Sequence, residues 1–339
     1  MRRTLRRPQD GGVRRVRFAP SPTGTLHIGN ALSAVANRAF GDWLLLRIDD
    51  TDRARNVPAG EEAIVEDLRW LGVDWDEGPA RQSERAERYR EAAAALGVAR
   101  FDGVTLVRED GTATYHLASV VDDVDFGITH VVRGNDHRPN EALHRRLHEA
   151  LGSPPPEYVH HGLILGADRK KLSKRAEGAT VASLREAGIP AEAVRRYLEE
   201  LGIPRHDVHL DLTRIRRLAV EAIQALPDEE LAARVGADAR YAPVMRGARD
   251  LSEAREYVRL IENPGPATAG DAETLARFLE LADLPPRDLL RELKAAGGDL
   301  RELRVALTGA TTGPELAAIL AALPPDEAAR RVRAAIERG

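Results

Sequence analysis

Strand-like and helical stretches alternate over the first 165 residues of this chain, and that alternation limits the fold more than any other feature. Apolar, β-branched runs end at turns rich in proline, glycine or acidic residues, and stretches with helical spacing follow them. The predicted order is strand 13–19, helix 28–40, strand 43–48, helices at about 59–72 and 83–96, strands 104–108, 114–121 and 128–133, helix 140–151 and strand 158–165. This order is typical of an α/β protein with a doubly wound, mostly parallel sheet.

The second half of the chain has a different pattern, because the strand signal stops after about residue 176. Helical spacing continues to the C-terminus and is interrupted by Pro/Gly segments at 202–204, 264–266 and 285–286. Residues 226–339 contain 20 acidic and 16 basic residues, whereas the two signs balance in the residues before them. We therefore predict an all-α C-terminal region. Residues 1–12 lack the apolar stretch of a signal peptide, and we interpret them as a disordered tail.

The composition excludes several classes of protein. Apolar residues make up 43% of the 339 residues, which is enough for two or three packed domains of roughly 150 residues. A net charge of −4 gives no global positive field towards nucleic acid. The absence of cysteine excludes disulfides and thiolate metal sites and fits a cytoplasmic protein. No apolar run approaches the roughly 18 residues of a membrane span, so no membrane partner is expected.

The turn after the first predicted strand has the form of a ligand site. Residues 19–30 read APSPTGTLHIGN and join that strand to the helix at 28–40. Ligands of open α/β sheets bind where strands end and helix N-termini present free N–H groups. Gly24 and Gly29 would let the backbone approach a ligand closely, and His27 can donate to phosphate oxygens. A single histidine there would more often be structural, so the turn needs a second signal.

Lysine supplies that second signal. Only four of the 50 basic residues are lysines, and Lys170, Lys171 and Lys174 lie within five positions. Because arginine occupies nearly every other basic position, a simple surface charge could have been arginine here too. Lysine differs in having a compact ammonium on a flexible stem, which can follow a moving phosphate. The segment predicts a mobile loop that holds a polyphosphate, although a solvated basic loop stays open on composition alone.

Taken together, the turn and the loop resemble the HIGH and KMSKS signatures of class I aminoacyl-tRNA synthetases. The surrounding sequence resembles glutamyl-tRNA synthetases in particular, densely over about 13–205 and more thinly beyond. The matching stretches are 17–24 (RFAPSPTG), 47–53 (RIDDTDR), 70–79 (WLGVDWDEGP), 81–85 (RQSER), 114–123 (TYHLASVVDD), 128–137 (ITHVVRGNDH) and, in the C-terminal region, 303–309 (LRVALTG).

This resemblance implies a division of the chain into regions. It implies a Rossmann-type catalytic domain over 13–168, a KMSKS-like loop with stem-contact helices over 169–225, and a helical, anticodon-binding-like domain over 226–339. It also implies ATP and Mg²⁺ as cofactors, with no zinc and no metal-ligating residues. Glutamate or a related amino acid, and a tRNA, are the implied partners.

The resemblance also assigns roles to individual residues. Residues that act on the transferring phosphate would be His27, Lys171 and Lys174. Residues that bind ATP would be Thr23, Gly29, Asn30, Asp136 and Ser173. Residues that bind the amino acid would be Arg17, Ala19, Ser21, Asp49, Tyr115, Ser119 and Arg133. Without the resemblance, the acidic run 49–52 would equally suit a helix cap or a metal loop, and Tyr115 on its predicted strand would more often be a core residue.

Three features depart from the family pattern. Members insert a domain for the tRNA acceptor stem, but only residues 97–111 stand there, with the hairpin signal Glu109-Asp110-Gly111 at their end. Asp49 stands where members usually have Glu, and Ser119 where they often have Asn. The C-terminal region is short and acidic, and lacks aromatic platforms for bases.

These observations leave three functions open. The first is ATP-dependent activation of glutamate and its transfer to tRNA. The second retains the activation step but transfers the acyl group to a small amine, a carrier protein or a modified nucleoside. The third is a noncatalytic binding module, which intact His27, Lys171 and Lys174 disfavour.

Overall fold

The computed structural model describes residues 12–52, 54–166, 169–170, 172–173, 176–267 and 271–338. The strands are β1 (Arg15–Phe18), β2 (Trp43–Ile48), β3 (Glu77–Arg81), β4 (Arg100–Phe101), β5 (Val104–Thr105), β6 (His130–Gly134), β7 (Glu157–His161), β8 (Ile164–Leu165) and β9 (Val208–His209). The helices are α1 (Ile28–Phe40), α2 (Gly60–Trp70), α3 (Ala86–Leu96), α4 (Tyr115–Asp125), α5 (Glu141–Ala150), α6 (Val181–Glu186), α7 (Ala191–Leu201), α8 (Leu212–Ala225), α9 (Asp228–Val235), α10 (Ala242–Met245), α11 (Leu251–Glu262), α12 (Ala272–Glu280), α13 (Pro286–Ala295), α14 (Leu300–Thr308), α15 (Leu316–Ala322) and α16 (Pro325–Ile336).

Parallel strand pairs form the centre of the α/β part. β2 pairs with both β1 and β3, and β6 pairs with β7, in each case in parallel. The Thr129 backbone N–H donates to the Arg15 carbonyl oxygen at 3.0 Å, so β6 begins beside β1. Residues 44–48 of β2 are all buried, as in a strand that helices cover on both faces. The predicted fold class, a mostly parallel α/β sheet with a helical C-terminal region, is confirmed.

Several local predictions are wrong. The strand predicted at 158–165 is divided into β7 and β8, the strand predicted at 104–108 is reduced to β5, and β4 is absent from the prediction. Residues 115–121 of the strand predicted at 114–121 belong to α4. Its residues from Leu117 to Asp123 are all buried, and an apolar run covered on every side carries no helical period that would distinguish it from a buried strand. β3 is absent from the prediction because Glu, Gly, Pro and Arg dominate it. β9 contradicts the expectation that no strand follows residue 176, although it has only two residues.

The short segment before α4 forms a double hairpin. β4 and β5 pair in antiparallel fashion across Asp102 and Gly103. A second antiparallel bridge joins Val107 to Ala113 around the predicted turn at 109–111, which confirms that turn. We name residues 98–114, which connect α3 to α4, the hairpin segment.

Contacts between Cα atoms divide the chain into two compact units. The first comprises the residues up to Arg185 together with Val194–Leu212, and the second comprises Glu186–Ala193 together with the residues from Thr213 onward. The core of the second unit is formed by side chains of its helices, among them Leu231, Met245, Phe278 and Leu307. The predicted region boundaries at 168 and 225 stay predictions. Across the described residues, no helix has the length and apolar character that crossing a lipid bilayer requires.

Candidate functional site

A cavity of about 570 Å³ opens in the first unit, where β1, β2 and β6 end. Phe18 and Ala19 continue from β1, Asp49 follows β2, and Gly134 ends β6. The predicted site residues that line it are Arg17, Ala19, Ser21, Thr23, His27, Gly29, Asn30, Asp49, Tyr115, Arg133 and Asp136. The fold therefore brings together residues that are up to 119 positions apart in the chain, at the sheet edge where α/β proteins bind ligands.

Four further predicted residues are not found in the cavity lining. Ser119 and Ser173 are not among the residues that line the cavity. Lys171 and Lys174 lie outside the described residues, so their part in the loop stays a prediction.

His27 connects the turn to the lysine-bearing segment. Its Nδ1 accepts from the Gly29 backbone N–H at 3.1 Å and caps α1, while its Nε2 lies 3.0 Å from the Leu172 carbonyl oxygen. A carbonyl oxygen can only accept, so Nε2 carries the proton and the imidazole is neutral. A Cβ on Gly29 would lie 3.3 Å from His27 Nδ1, which explains why glycine suits this position. The two predicted motifs meet at this hydrogen bond.

The backbone joins the same two segments a second time. The Ile28 N–H donates to the Ala179 carbonyl oxygen at 2.8 Å, and the Val181 N–H donates to the Leu26 carbonyl oxygen at 2.9 Å. The end of the segment that carries the lysines is thus fixed beside the N-terminus of α1. This N-terminus has no acidic residue in its first turn, so the positive end of the helix dipole favours an anion.

The buried guanidinium of Arg47 lines the cavity and binds several carboxylates. Its Nε and Nη2 donate to the two oxygens of Asp49 at 2.7 and 3.1 Å, and its Nη1 donates to Asp123 at 3.0 Å. Asp122 lies 3.5 Å from Nε. Burial alone would lower the pKa of Arg47, but the three carboxylates raise it well above its ordinary value. Arg17 joins this network through Nε, which donates to Asp123 at 3.2 Å.

Asp49 and Ser119, the two departures from the family pattern, both contact Arg47. Both Asp49 oxygens accept from this guanidinium. Ser119 accepts at Oγ from Arg47 Nη2 at 3.3 Å and at its carbonyl oxygen from Nη1 at 3.4 Å. Burial raises the pKa of Asp49, and the charge of Arg47 opposes that rise. Ser119 therefore does not line the cavity but contacts Arg47, which does.

Arg133, which lines the same cavity, has a contrasting environment. Its Nη1 donates to the Tyr115 hydroxyl and its Nε to His160 Nε2, both at 3.4 Å. Its Nη2 is buried without a hydrogen-bond partner, and burial lowers its pKa. No carboxylate of the described residues lies within ion-pair distance of this guanidinium.

Arg47, Asp123, His160 and Arg108 escaped the sequence-based assignment. Arg47 had a usable signal, since it is the one charged residue in the otherwise apolar stretch 43–48. Asp123 and His160 had none, because their contacts depend on distant parts of the chain, and Arg108 makes only local hydrogen bonds that do not indicate a place in the cavity. In the part of the chain that the structure describes, no group of three or more His, Cys, Asp or Glu side chains is placed to hold a metal ion.

Comparison with known proteins agrees with this geometry. Residues 13–98 and 97–223 match the family described as tRNA synthetases class I (E and Q), catalytic domain. The chain is 35% identical to glutamate–tRNA ligase 1 of Rubrobacter xylanophilus, covering 95% of this chain and 98% of the relative. It is 31% identical to glutamate–tRNA ligase of Akkermansia muciniphila, covering 94% and 98%.

A solved structure shares the fold. The glutamate tRNA ligase of Elizabethkingia meningosepticum, crystallised with its amino acid, superposes with a TM-score of 0.75 at 24% identity and covers 95% of this chain and 99% of that chain. The match of residues 13–98 and 97–223, together with the nearly full-length relatives, shows the family. The protein belongs to the class I tRNA synthetases of the glutamyl and glutaminyl type, which use ATP.

Proposed function

We propose that this protein activates glutamate with ATP and transfers the glutamyl group to a tRNA. One observation carries the proposal: a single cavity is lined both by His27 at the N-terminus of α1 and by Arg133, whose buried guanidinium has no ion-pair partner among the described residues. Relatives that are named glutamate–tRNA ligase align over nearly their whole length, which supports the same reaction. With no cysteine in the chain, we assign the reaction to the cytoplasm.

In the ATP half of the cavity, the N-terminus of α1 and His27 would hold the phosphates. His27 Nε2 donates to the Leu172 carbonyl oxygen in this structure, and a bound phosphate would take over that donor. The segment with Lys171 and Lys174 would then move against the phosphates, and Mg²⁺ would arrive with ATP as its counterion. Further contacts are proposed for Thr23, Gly29, Asn30, Asp136 and Ser173.

In the amino-acid half, Arg133 and Arg17 would bind the two carboxylates of glutamate. Tyr115 would fix the orientation of Arg133, and Ala19 and Ser21 would shape the wall. Asp49 would meet the α-ammonium with the lone pairs that Arg47 leaves free. Ser119 would act through Arg47, which it contacts directly.

The chemistry then needs no covalent nucleophile from the protein. A carboxylate oxygen of glutamate attacks the α-phosphorus of ATP, and pyrophosphate leaves as the new P–O bond forms. A ribose hydroxyl of the tRNA then attacks the carbonyl carbon, and AMP leaves. Negative charge increases on the phosphate oxygens in the first step, where the His27 N–H and the lysine ammonium groups stabilise it.

Pyrophosphate exchange tests this proposal most directly. Labelled pyrophosphate should enter ATP in the presence of glutamate, with total tRNA added or omitted, and labelled glutamate should become acid-precipitable on tRNA. Absence of exchange with every amino acid under both conditions would contradict an adenylating enzyme. As a site control, His27→Ala should lower exchange by roughly a hundredfold, the loss expected for one transition-state donor.

A transfer to a non-tRNA acceptor is favoured by one observation. The alignment with the Rubrobacter xylanophilus ligase extends over 422 residues, more than the 339 of this chain, and the hairpin segment stands where the family inserts its acceptor-stem domain. Exchange with glutamate that yields no charged tRNA, combined with glutamyl transfer to an added amine or nucleoside, would support this second function over the first.

A further inference from the structure

The hairpin segment directs one arginine into the active cavity. Arg108 lines the cavity together with Tyr115 and Arg133. Its Nη1 donates to the Ala113 carbonyl oxygen at 2.7 Å and to Thr112 Oγ1 at 3.1 Å. The guanidinium is therefore held through Nη1 by its own hairpin, and its other N–H groups have no hydrogen-bond partner among the described residues.

The turn that carries Arg108 is closed by several hydrogen bonds. The Arg108 N–H donates to the Thr112 carbonyl oxygen at 2.8 Å, and the Gly111 N–H donates back to the Arg108 carbonyl oxygen at 3.0 Å. Asp110 Oδ1 accepts from the Thr112 N–H at 2.9 Å and from its hydroxyl at 2.6 Å. A turn fixed in this way presents the side chain of Arg108 in one place, which lowers the entropy cost of binding a ligand.

Arg108 has no ion-pair partner among the described residues. It is partly buried, so it lies nearer the solvent than Arg17 and Arg133, each of which is 6% exposed. The Thr114 hydroxyl donates to the Thr105 carbonyl oxygen and does not cap α4, which begins at Tyr115. The positive end of α4 therefore adds to the potential that Arg108 creates.

The anions of the proposed activation step have other partners in the cavity, so Arg108 is available for an anion of the transfer step. The two carboxylates of glutamate have Arg17 and Arg133, and the phosphates of ATP have the N-terminus of α1. We propose that Arg108 binds a backbone phosphate of the acceptor strand of the tRNA, so that the hairpin segment takes over contacts for which the family uses an inserted domain. The inference rests on the proposed transfer to tRNA and names the contact that this transfer uses.

The salt dependence of tRNA binding tests this contact. Full-length protein and its Arg108→Ala variant are titrated with tRNA at several salt concentrations. One lost phosphate contact should reduce the slope of log Kd against log salt by about 0.7–0.9 and raise the KM for tRNA by about tenfold. The KM values for glutamate and ATP, measured at saturating tRNA, should stay within about twofold.

Two further variants separate charge from folding. Arg108→Lys keeps the positive charge and should retain the salt slope. Arg100→Ala removes another arginine of the same hairpin segment, whose Nη2 also donates to a backbone carbonyl, that of Gly103, at 2.7 Å but which does not line the cavity. This variant should bind tRNA as the unmodified protein does, and thermal melting of all variants checks that the hairpin still folds.

Each other outcome overturns the inference. An unchanged salt slope in Arg108→Ala means that Arg108 is a solvated residue. A rise in the KM for glutamate or ATP equal to that for tRNA places Arg108 in the activation step instead. If the unmodified protein exchanges pyrophosphate but charges no tRNA, the proposed transfer fails first, whereas normal charging with an unaffected Arg108→Ala variant overturns the Arg108 contact alone.

Discussion

Two buried arginines of the same cavity have opposite surroundings. Arg47 is 0% exposed and Arg133 is 6% exposed. Arg47 lies within ion-pair distance of Asp49, Asp122 and Asp123, and these carboxylates raise its pKa against the effect of burial. Arg133 has a hydroxyl and an imidazole as partners and one buried nitrogen without any, and burial lowers its pKa.

This difference separates a structural charge from a binding charge. A buried ion that is fully paired is part of the folded network, and removing it leaves its partners uncompensated. A buried ion without a counterion costs folding free energy and is retained where a ligand supplies the missing charge. Arg47 thus belongs to the folded network, whereas the surroundings of Arg133 support the proposal that it binds a substrate carboxylate.

The largest expected effect comes from Arg47→Met. The substitution would leave three buried carboxylates without their central cation and should lower the free energy of unfolding by about 3–5 kcal/mol. Denaturant titration measures this loss. Arg38→Met is the matched control, because Arg38 pairs with Asp76 at a more exposed position (22% and 39% side-chain exposure), and such pairs contribute about 0–1 kcal/mol. Equal effects of the two variants would show that the Arg47 network is no more than a surface pair.

Arg133→Met should show the reverse behaviour. Because it removes an uncompensated buried charge, the free energy of unfolding should change by less than about 1 kcal/mol or rise. The KM for glutamate should increase by roughly a hundredfold, about 2.7 kcal/mol, because one substrate carboxylate loses its charged partner. Denaturant titration and pyrophosphate exchange measure the two quantities. A destabilisation as large as that of Arg47→Met, with an unchanged KM, would abolish the distinction between the two sites.

The sequence predicted the elements that local chemistry determines. The helix at 28–40 and the strand at 43–48 have the bounds that the structure gives to α1 and β2. His27 was predictable because the strand, the Pro/Gly turn and the helix N-terminus are adjacent in the chain. The cavity residues from separate segments could be gathered only through the family resemblance.

The network around Arg47 could not be predicted in this way. Asp123 contacts Arg47 across 76 positions of sequence. The strand predicted at 114–121 would have alternated its side chains between two faces, whereas α4 directs Ser119, Asp122 and Asp123 towards Arg47. Long-range contacts and the secondary structure of a wholly buried segment are fixed by packing, which single residues do not reveal.

A smaller effect on the free energy of unfolding is expected when a change of pH protonates His160, the imidazole partner of Arg133. Its Nε2 accepts from Arg133, so the ring must be neutral, and burial together with the charge of Arg133 lowers its pKa to about 4. The unfolded chain binds the proton near pH 6.5, so the stabilising contribution is complete above that pH and is lost as the pH falls from 6.5 through about 4.

His160→Gln should remove this dependence. The amide oxygen can still accept from Arg133, but it does not titrate. In urea titrations between pH 7 and 4, the unmodified protein should lose up to about 1.4 kcal/mol per pH unit more than the variant. Parallel stability curves for the two proteins would mean that the pKa of His160 is the same in the folded and the unfolded chain, and would contradict a pKa lowered by burial beside Arg133.

The smallest effect is expected on the KM for glutamate, from changes at Asp49 and Ser119, the two cavity-region residues that depart from the family pattern. Asp49 and Ser119 contact the same guanidinium, so Asp49→Glu and Ser119→Asn should not act independently. Glu would push its carboxylate further into the cavity, and Asn would offer an amide to receive it. In a double-mutant cycle on the KM for glutamate, we expect a coupling of about 1 kcal/mol, roughly fivefold. If the fold-change in the KM for glutamate of the double variant equals the product of the two single fold-changes, Arg47 does not couple the two positions. Each substitution would then affect the proposed substrate pocket separately.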